Sequence, residues 1–360
     1  MKYSVFILAV LLFAGCQKQY DISSLPSAAN LVVVGDTTYI QKAAWDGFNH
    51  PRTILYGADQ LFYVCDTDSN RVVMLNSAGQ ILSVRSGILH PISVGQDTRL
   101  DLIIGAEMLE PTTGDTIGVV LRLHLVDAEH QMAKAKIDTI WKEPARPLRR
   151  FVGVGILPND EYLILRDGPD NSSAVDPDSR VLRFRYVHVN AIARKDSFIT
   201  PLGDLTSGIG GAITYVNRPT GLATFPGSAD FILVQQSDGV SYAAVWMVYS
   251  KTNDFDGWLP KFDPSVPEQR GADIIVPNRF ADARGVAIDR YRRDIFIVDA
   301  QQDSVVKFNS RGRFKAESFG ARTPGISLKN PQGAAVAQNT LYVCDTGNNR
   351  IVLYRLSTDN

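Results

Sequence analysis

The residues with the most chemical potential lie in a motif that occurs twice. Residues 63–75 read YVCDTDSNRVVML and residues 342–354 read YVCDTGNNRIVLY. Asp66, Asp68 and Asn70 have the opening spacing of a calcium-binding loop, D-x-D-x-N. The match then fails, because Arg71 stands where the loop needs Gly and Ser77 where it needs a bidentate Glu. Recurrence of the motif points instead to a hairpin turn. Asp66 and Asp345 then accept backbone N–H groups, and Arg71 and Arg350 pair with them across the hairpin. Ser304 and Lys307 spell S-x-x-K, but on a strand pattern rather than the helix that this chemistry requires. No G-x-S-x-G, H-E-x-x-H or phosphate-binding glycine loop occurs, and His124 and His188 sit within strand patterns as packing or edge residues.

Composition narrows the class. The chain has 360 residues, 45% hydrophobic and 21% charged, enough apolar material for a substantial core. A net charge of -1 argues against nucleic acid as a partner, since phosphate binding needs a basic surface. Three cysteines without a C-x-x-C pair exclude a disulfide framework and a zinc ribbon.

The elements that position these residues come from the repeat. A third copy, FIVDAQQDSVVKF, covers residues 296–308. Each copy is an apolar or alternating run, a polar turn and a second β-branched run, which is a hairpin signature. Small-residue segments precede them: HPRTILYG from His50, DARGVAID from Asp282 and NPQGAAVA from Asn330. Looser copies fill the middle of the chain, so the unit occurs six times, with hairpin turns expected near residues 66, 105, 167, 236, 299 and 345. Helical periodicity is absent after the first residues.

Six units of four short strands predict an all-β fold, a six-bladed β-propeller with four-stranded blades. The last unit has only three strands before the chain ends. Residues 36–45 are expected to supply the fourth and close the ring, leaving no free edge. Innermost strands rich in Gly and Ala fit the crowding near the axis. Cys65 and Cys344 occupy one repeat position. Equivalent side chains point the same way around a ring, so two buried free thiols are expected.

The pattern P-x-G-[apolar]-A-V followed by [LI]-Y-V-x-D-T-x-N-N-R-I resembles the NHL repeat. Pro331, Gly333, Val336, Tyr342, Val343, Asp345, Thr346, Asn348, Asn349, Arg350 and Ile351 carry the resemblance. Units one and five match moderately, and units two to four only as strand patterns. The resemblance implies a propeller that serves as an interaction scaffold.

Strand direction places candidate site residues. The loops leading into the innermost strands share one face with the loops joining second and third strands. The former carry His50, Arg52, His90, Arg149, Arg150, Arg218, Arg284 and Lys329, and the latter carry mostly Asp. A basic hub within an acidic surround is therefore expected, suited to an anionic ligand. No metal or other cofactor is expected in general. The insertion 168–179, with Asp170, Asn171, Asp176 and Asp178, is the one place where calcium could bind.

The N-terminus reads MKYSVFILAVLLFAGC. One positive charge and an apolar run too short to span a bilayer indicate a secretory signal. The ending FAGC resembles the bacterial lipobox, with Phe13 where Leu is usual. That resemblance implies a removable signal over 1–15, lipidation of Cys16, a polar tether over 16–30 and a propeller over 31–360. Gln17 in place of Asp implies the outer membrane of a Gram-negative envelope.

Two function classes follow. One is a membrane-anchored binding module that presents a propeller face to a glycan, peptide or protein partner, anionic if the hub carries the binding. The other is a metal-dependent propeller hydrolase or lyase acting in the central channel, for which His50, His90, Asn49, Asp282 and Asn330 are the available ligands. No complete catalytic set is present.

Overall fold

A computed structural model describes residues 37–359, apart from 191–192, 204, 206–213, 237–241, 265 and 270–271. The signal, the tether and Cys16 lie outside the described residues.

Among the described residues, twenty-four strands form six antiparallel sheets of four. Blade one comprises β2 (Pro51–Tyr56), β3 (Phe62–Asp66), β4 (Arg71–Leu75) and β5 (Ile81–Ser86). Blade two is β6 (Leu89–Gln96), β7 (Leu102–Leu109), β8 (Thr116–Leu123) and β9 (Ile137–Lys142). Blade three is β10 (Arg150–Ile156), β11 (Glu161–Asp167), β12 (Arg180–His188) and β13 (Arg194–Pro201). Blade four is β14 (Pro219–Thr224), β15 (Phe231–Gln235), β16 (Ala244–Lys251) and β17 (Asp256–Pro260). Blade five is β18 (Ala283–Ile288), β19 (Ile295–Asp299), β20 (Ser304–Phe308) and the short β21 (Phe319–Gly320). Blade six is β22 (Gly333–Ala337), β23 (Thr340–Asp345) and β24 (Arg350–Leu356), completed by β1 (Tyr39–Trp45) from the other end of the chain. One expected turn moves: β7 runs on through residue 105, and the blade-two hairpin turns at 110–115. β7 stays paired with β8 as far as Leu109 opposite Thr116, so the strand continues past residue 105.

β1 pairs antiparallel with β24, from Tyr39 opposite Leu356 to Trp45 opposite Ile351. This pairing closes the ring and covers the outer edge of the last blade. Trp45 also packs against Phe62 of blade one and Tyr342 of blade six, with ring centroids 5.3 and 5.1 Å apart.

Second strands are buried on both sides because each blade is wedged between two others. Tyr63 and Cys65 of β3 pack with Val94, Leu102 and Ile104 of blade two. Phe62 and Val64, pointing the other way, pack with Tyr342 and Cys344 of blade six. Cys65 and Cys344 are buried and free, each facing the blade that follows it. Inner strands approach so closely that glycine is required. A Cβ on Gly285 would stand 2.5 Å from the Gln332 carbonyl oxygen, and one on Gly333 2.6 Å from that of Arg52.

The recurring aspartates lock the hairpins as the repeat implied. Arg71 Nε lies 2.6 Å from Asp66 Oδ2, and Arg350 Nε 2.8 Å from Asp345 Oδ2. Their other oxygens accept the backbone N–H groups of Asn49 and Lys329, which ties each hairpin to the loop leading into its own blade. The following threonines stitch blades together: Thr67 donates to the Pro91 carbonyl and Thr346 to that of Pro51, both at 2.7 Å.

The opposite, lower face holds a buried charge cluster that the repeat does not encode. Arg122 of β8 contacts Asp97 and is bidentate to Asp196 on β13. Beside it, His124 lies between Asp101 (3.3 Å from Nδ1) and Asp138 (2.9 Å from Nε2), and Lys136 also binds Asp138. The hydrogen bond with Asp101 is the largest cause that raises the His124 pKa above 6.5, against a desolvation that lowers it. A raised histidine pKa stabilises the fold fully below the unfolded value and loses that contribution as pH rises through the folded value. Chemical denaturation is therefore expected to show stability falling as pH climbs above about 6.5. The slope should flatten in His124→Gln, and an unchanged slope would show that His124 does not carry it.

Candidate functional site

A channel of about 590 Å³ runs along the axis, lined by all six inner strands. Its upper mouth is set by a β-bulge. Register shifts between Pro51 and Thr53, Phe151 and Gly153, Pro219 and Gly221, and Ala283 and Gly285 each leave one residue unpaired. A bulge re-aims the extra side chain. Arg52, Val152, Thr220 and Arg284 are those residues, and all four line the channel. Ile92 falls within the wider shift of β6, and Gln332 precedes Gly333 at the same place in blade six. The mouth is thus one layer of six equivalent positions. Arg284, Gln332 and Arg52 form a polar, cationic arc, and Ile92, Val152 and Thr220 form a largely apolar one.

The two arginines differ. Arg284 Nε pairs with Asp282 at 2.7 Å. Arg52 is partly buried and makes no ion pair or side-chain hydrogen bond among the described residues. Burial, and then the neighbouring Arg284 guanidinium, lower the Arg52 pKa below the ordinary arginine value. An anion seated between the two would relieve both effects.

Of the eight expected hub residues, only Arg52 and Arg284 line the channel. The other six stand off it, for reasons visible in the backbone. His50, His90 and Arg218 have left-handed φ values of 51°, 47° and 51°, two positions before the bulge. The backbone N–H of His50 donates to Asn349, that of His90 to Asn70 and that of Arg218 to Ser179, so these residues are pivots tied to the preceding blade. Both imidazoles turn to one carboxylate, with His50 2.7 Å and His90 3.2 Å from Asp68. Arg150 pairs with Glu107 at 2.7 Å across the blade two–three seam. Lys329 is exposed, with its N–H donated to Asp345. Arg149 is the largest departure. It is buried, and pairs with Glu143, Asp176 and Asp178 at 2.6–2.8 Å. Arg166 joins Glu143 and Asp176 in the same cluster.

That cluster also bears on calcium in the 168–179 insertion. Asp176 and Asp178 are engaged by the two arginines, which pin the insertion to blade three. Among the described residues, no group of three or more His, Cys, Asp or Glu side chains is placed to hold a metal ion. Ile92, Val152, Thr220 and Gln332 were missed by strand direction alone. The repeat alignment could have found them, because they share the column of Arg52.

The blade-six hairpin carries the decisive sequence feature. Residues 328–354 match the NHL repeat. This NHL repeat contains β22, β23 and the Asp345–Arg350 pair. No curated protein sequence matches the chain. Solved structures match its fold. An auxiliary nutrient binding protein from Bacteroides thetaiotaomicron is 12% identical with a TM-score of 0.56, over 86% of this chain and 70% of that one. A gluconolactonase from Xanthomonas campestris is 13% identical with a TM-score of 0.53, over 92% and 94%. A streptogramin B lyase is 9% identical with a TM-score of 0.51, over 89% and 98%. Identities this low establish the propeller, which serves binding proteins and enzymes alike.

Proposed function

We propose that this protein is a binding module of the bacterial cell envelope, lipid-anchored through Cys16 and facing its ligand with the propeller. The N-terminal MKYSVFILAVLLFAGC segment supports the anchor and an outer-membrane location. The upper mouth takes the anionic group of a glycan, peptide or protein partner. The observation that carries this reading is Arg52, a partly buried guanidinium in the channel with no ion pair or side-chain hydrogen bond among the described residues and a second guanidinium nearby. Arginine suits the role because its planar fork can hold a carboxylate or sulfate through two hydrogen bonds. The apolar arc of Ile92 and Val152 favours a ligand with a hydrophobic face opposite its charge. The neighbour that binds a nutrient is consistent with a ligand-carrying role for this fold.

A metal-dependent hydrolase or lyase is the weaker reading. Among the described residues, the one carboxylate lining the channel, Asp97, is held by Arg122. Asp282 is held by Arg284, and His50 and His90 share Asp68. These residues do not fit a cation site on the axis.

The test is an array of uronate-bearing and sulfated glycans together with acidic peptides, probed with wild type and Arg52→Met. Wild type is expected to bind an anionic member, and Arg52→Met to bind it about 10- to 100-fold more weakly. Thermal stability of Arg52→Met is expected to hold or rise, because an unpaired, partly desolvated cation is removed. Binding that survives the substitution, or stoichiometric metal in the purified protein, would refute the reading.

A further inference from the structure

The lower face carries a second cavity, of about 410 Å³, which nothing above uses. Its size falls within the roughly 300–1,000 Å³ of small-ligand sites. Three turns build it: the β2–β3 turn, the β18–β19 turn and the β22–β23 turn. They bring together Tyr56, Gln60, Arg290, Tyr291, Gln338 and Asn339. We infer that this groove is a saccharide-binding site, lying at the opposite end of the channel from Arg52 and Arg284.

Two kinds of chemistry converge there. The first is amide chemistry. Gln60, Gln338 and Asn339 sit in left-handed turn positions, with φ of 65°, 47° and 62°, and all three are exposed. None of their side chains hydrogen-bonds within the described protein. A carboxamide offers a donor and an acceptor side by side, and vicinal sugar hydroxyls each both donate and accept. The second is aromatic. Tyr291 is 85% exposed, the most exposed large ring of the described residues. It is held out by a rigid turn, since the buried Asp289 accepts the backbone N–H groups of Tyr291 (2.7 Å) and Arg292 (2.8 Å). Its ring offers a flat, amphipathic surface at low entropic cost, matched to the C–H face of a sugar. Arg290, exposed at the junction of the groove with the channel, adds donors for ring or hydroxyl oxygens.

The groove suits a saccharide better than an extended peptide. Peptide capture by strand addition needs an open sheet edge, and this groove is walled by turns. Tyr56, Ala58, Arg290 and Val336 line both cavities, so the groove runs into the lower end of the channel. A chain longer than the groove therefore has somewhere to continue. This inference is independent of the anion reading, because no residue of the groove belongs to the upper ring.

Neutral xylo-, malto-, manno- and chito-oligosaccharides, titrated calorimetrically into the intact protein, test the site. Wild type is expected to bind at least one series. Tyr291→Ala should weaken it about tenfold, Tyr291→Phe should retain it, and Asn339→Ala should weaken it further in combination. Both positions are exposed, so circular dichroism and thermal stability should be unchanged. Absence of binding to every series, binding of arrayed peptides alone, or binding indifferent to Tyr291→Ala would overturn the site. Loss of saccharide binding in Arg52→Met would assign it to the upper ring and overturn the lower-face site as well.

Discussion

Trp45→Ala is expected to lower the stability of the ring by about 3–5 kcal/mol, the usual loss when a buried tryptophan is truncated. Trp45 is the last residue of the closing strand and is only 8% exposed. Its indole fills the seam between blades six and one, against Phe62 and Tyr342, which themselves pack at 4.4 Å. It also covers the turn at Gly79, where an added Cβ would collide with the indole. The seam is the one place where the ring is closed by strands from opposite ends of the chain. A cavity there loosens the β1–β24 pairing as well as the packing. Urea unfolding followed by fluorescence would measure the loss through its midpoint. A change below about 1 kcal/mol, the size of an ordinary surface substitution's effect at most, would show that closure does not depend on this residue.

Arg122→Met is the second large effect. The Arg122 side chain is 1% exposed and answers two carboxylates, the buried Asp97 and the part-buried Asp196, with Asp101 at 3.8 Å. Tyr162 donates a further hydrogen bond to Asp196 at 2.7 Å, and the Tyr186 ring lies 4.0 Å from the guanidinium carbon. Methionine keeps much of the volume but leaves the carboxylates without a countercharge. Removing one partner of a buried ion pair costs about 3–5 kcal/mol. Burial already raises the Asp97 pKa despite Arg122, so without the arginine the carboxyl should hold its proton to still higher pH. A carboxyl pKa raised in the folded state makes the fold relatively more stable as pH falls. The deficit of Arg122→Met is therefore expected at neutral pH and to shrink towards pH 4. Denaturation of both proteins across that range checks it, and a deficit constant with pH would exclude uncompensated carboxylates as the cause.

These two residues mark how far the sequence reaches. Closure was legible because a unit short of one strand at one end and a spare strand at the other have a single solution that leaves no edge. The closing strand β1 spans Tyr39–Trp45, and residue 36 lies outside the described residues. Hairpin locks at Asp66–Arg71 and Asp345–Arg350 were legible for a related reason, since their partners lie five residues apart in sequence and repeat. The Arg122 cluster was not legible. Its members come from residues 97, 101, 122, 162 and 196, which share no repeat column and meet only when blades two and three pack.

The candidate site divides the same way. The sequence by itself determined the blades, their number, the closing strand and the face onto which basic loops emerge. Period-two patterning, turn residues and a repeated motif are local, and local features survive in a linear string. Only the tertiary structure decided which basic residues face the channel. A one-residue bulge turns Arg52 and Arg284 inward, while the left-handed His50, His90 and Arg218, each two positions before the bulge column, are tied through their backbone N–H groups to the preceding blade. Whether a cation is free or spent depends on carboxylates delivered by other loops. The 168–179 insertion holds Arg149 against Asp176 and Asp178, away from the channel, whereas Arg52 meets no carboxylate among the described residues.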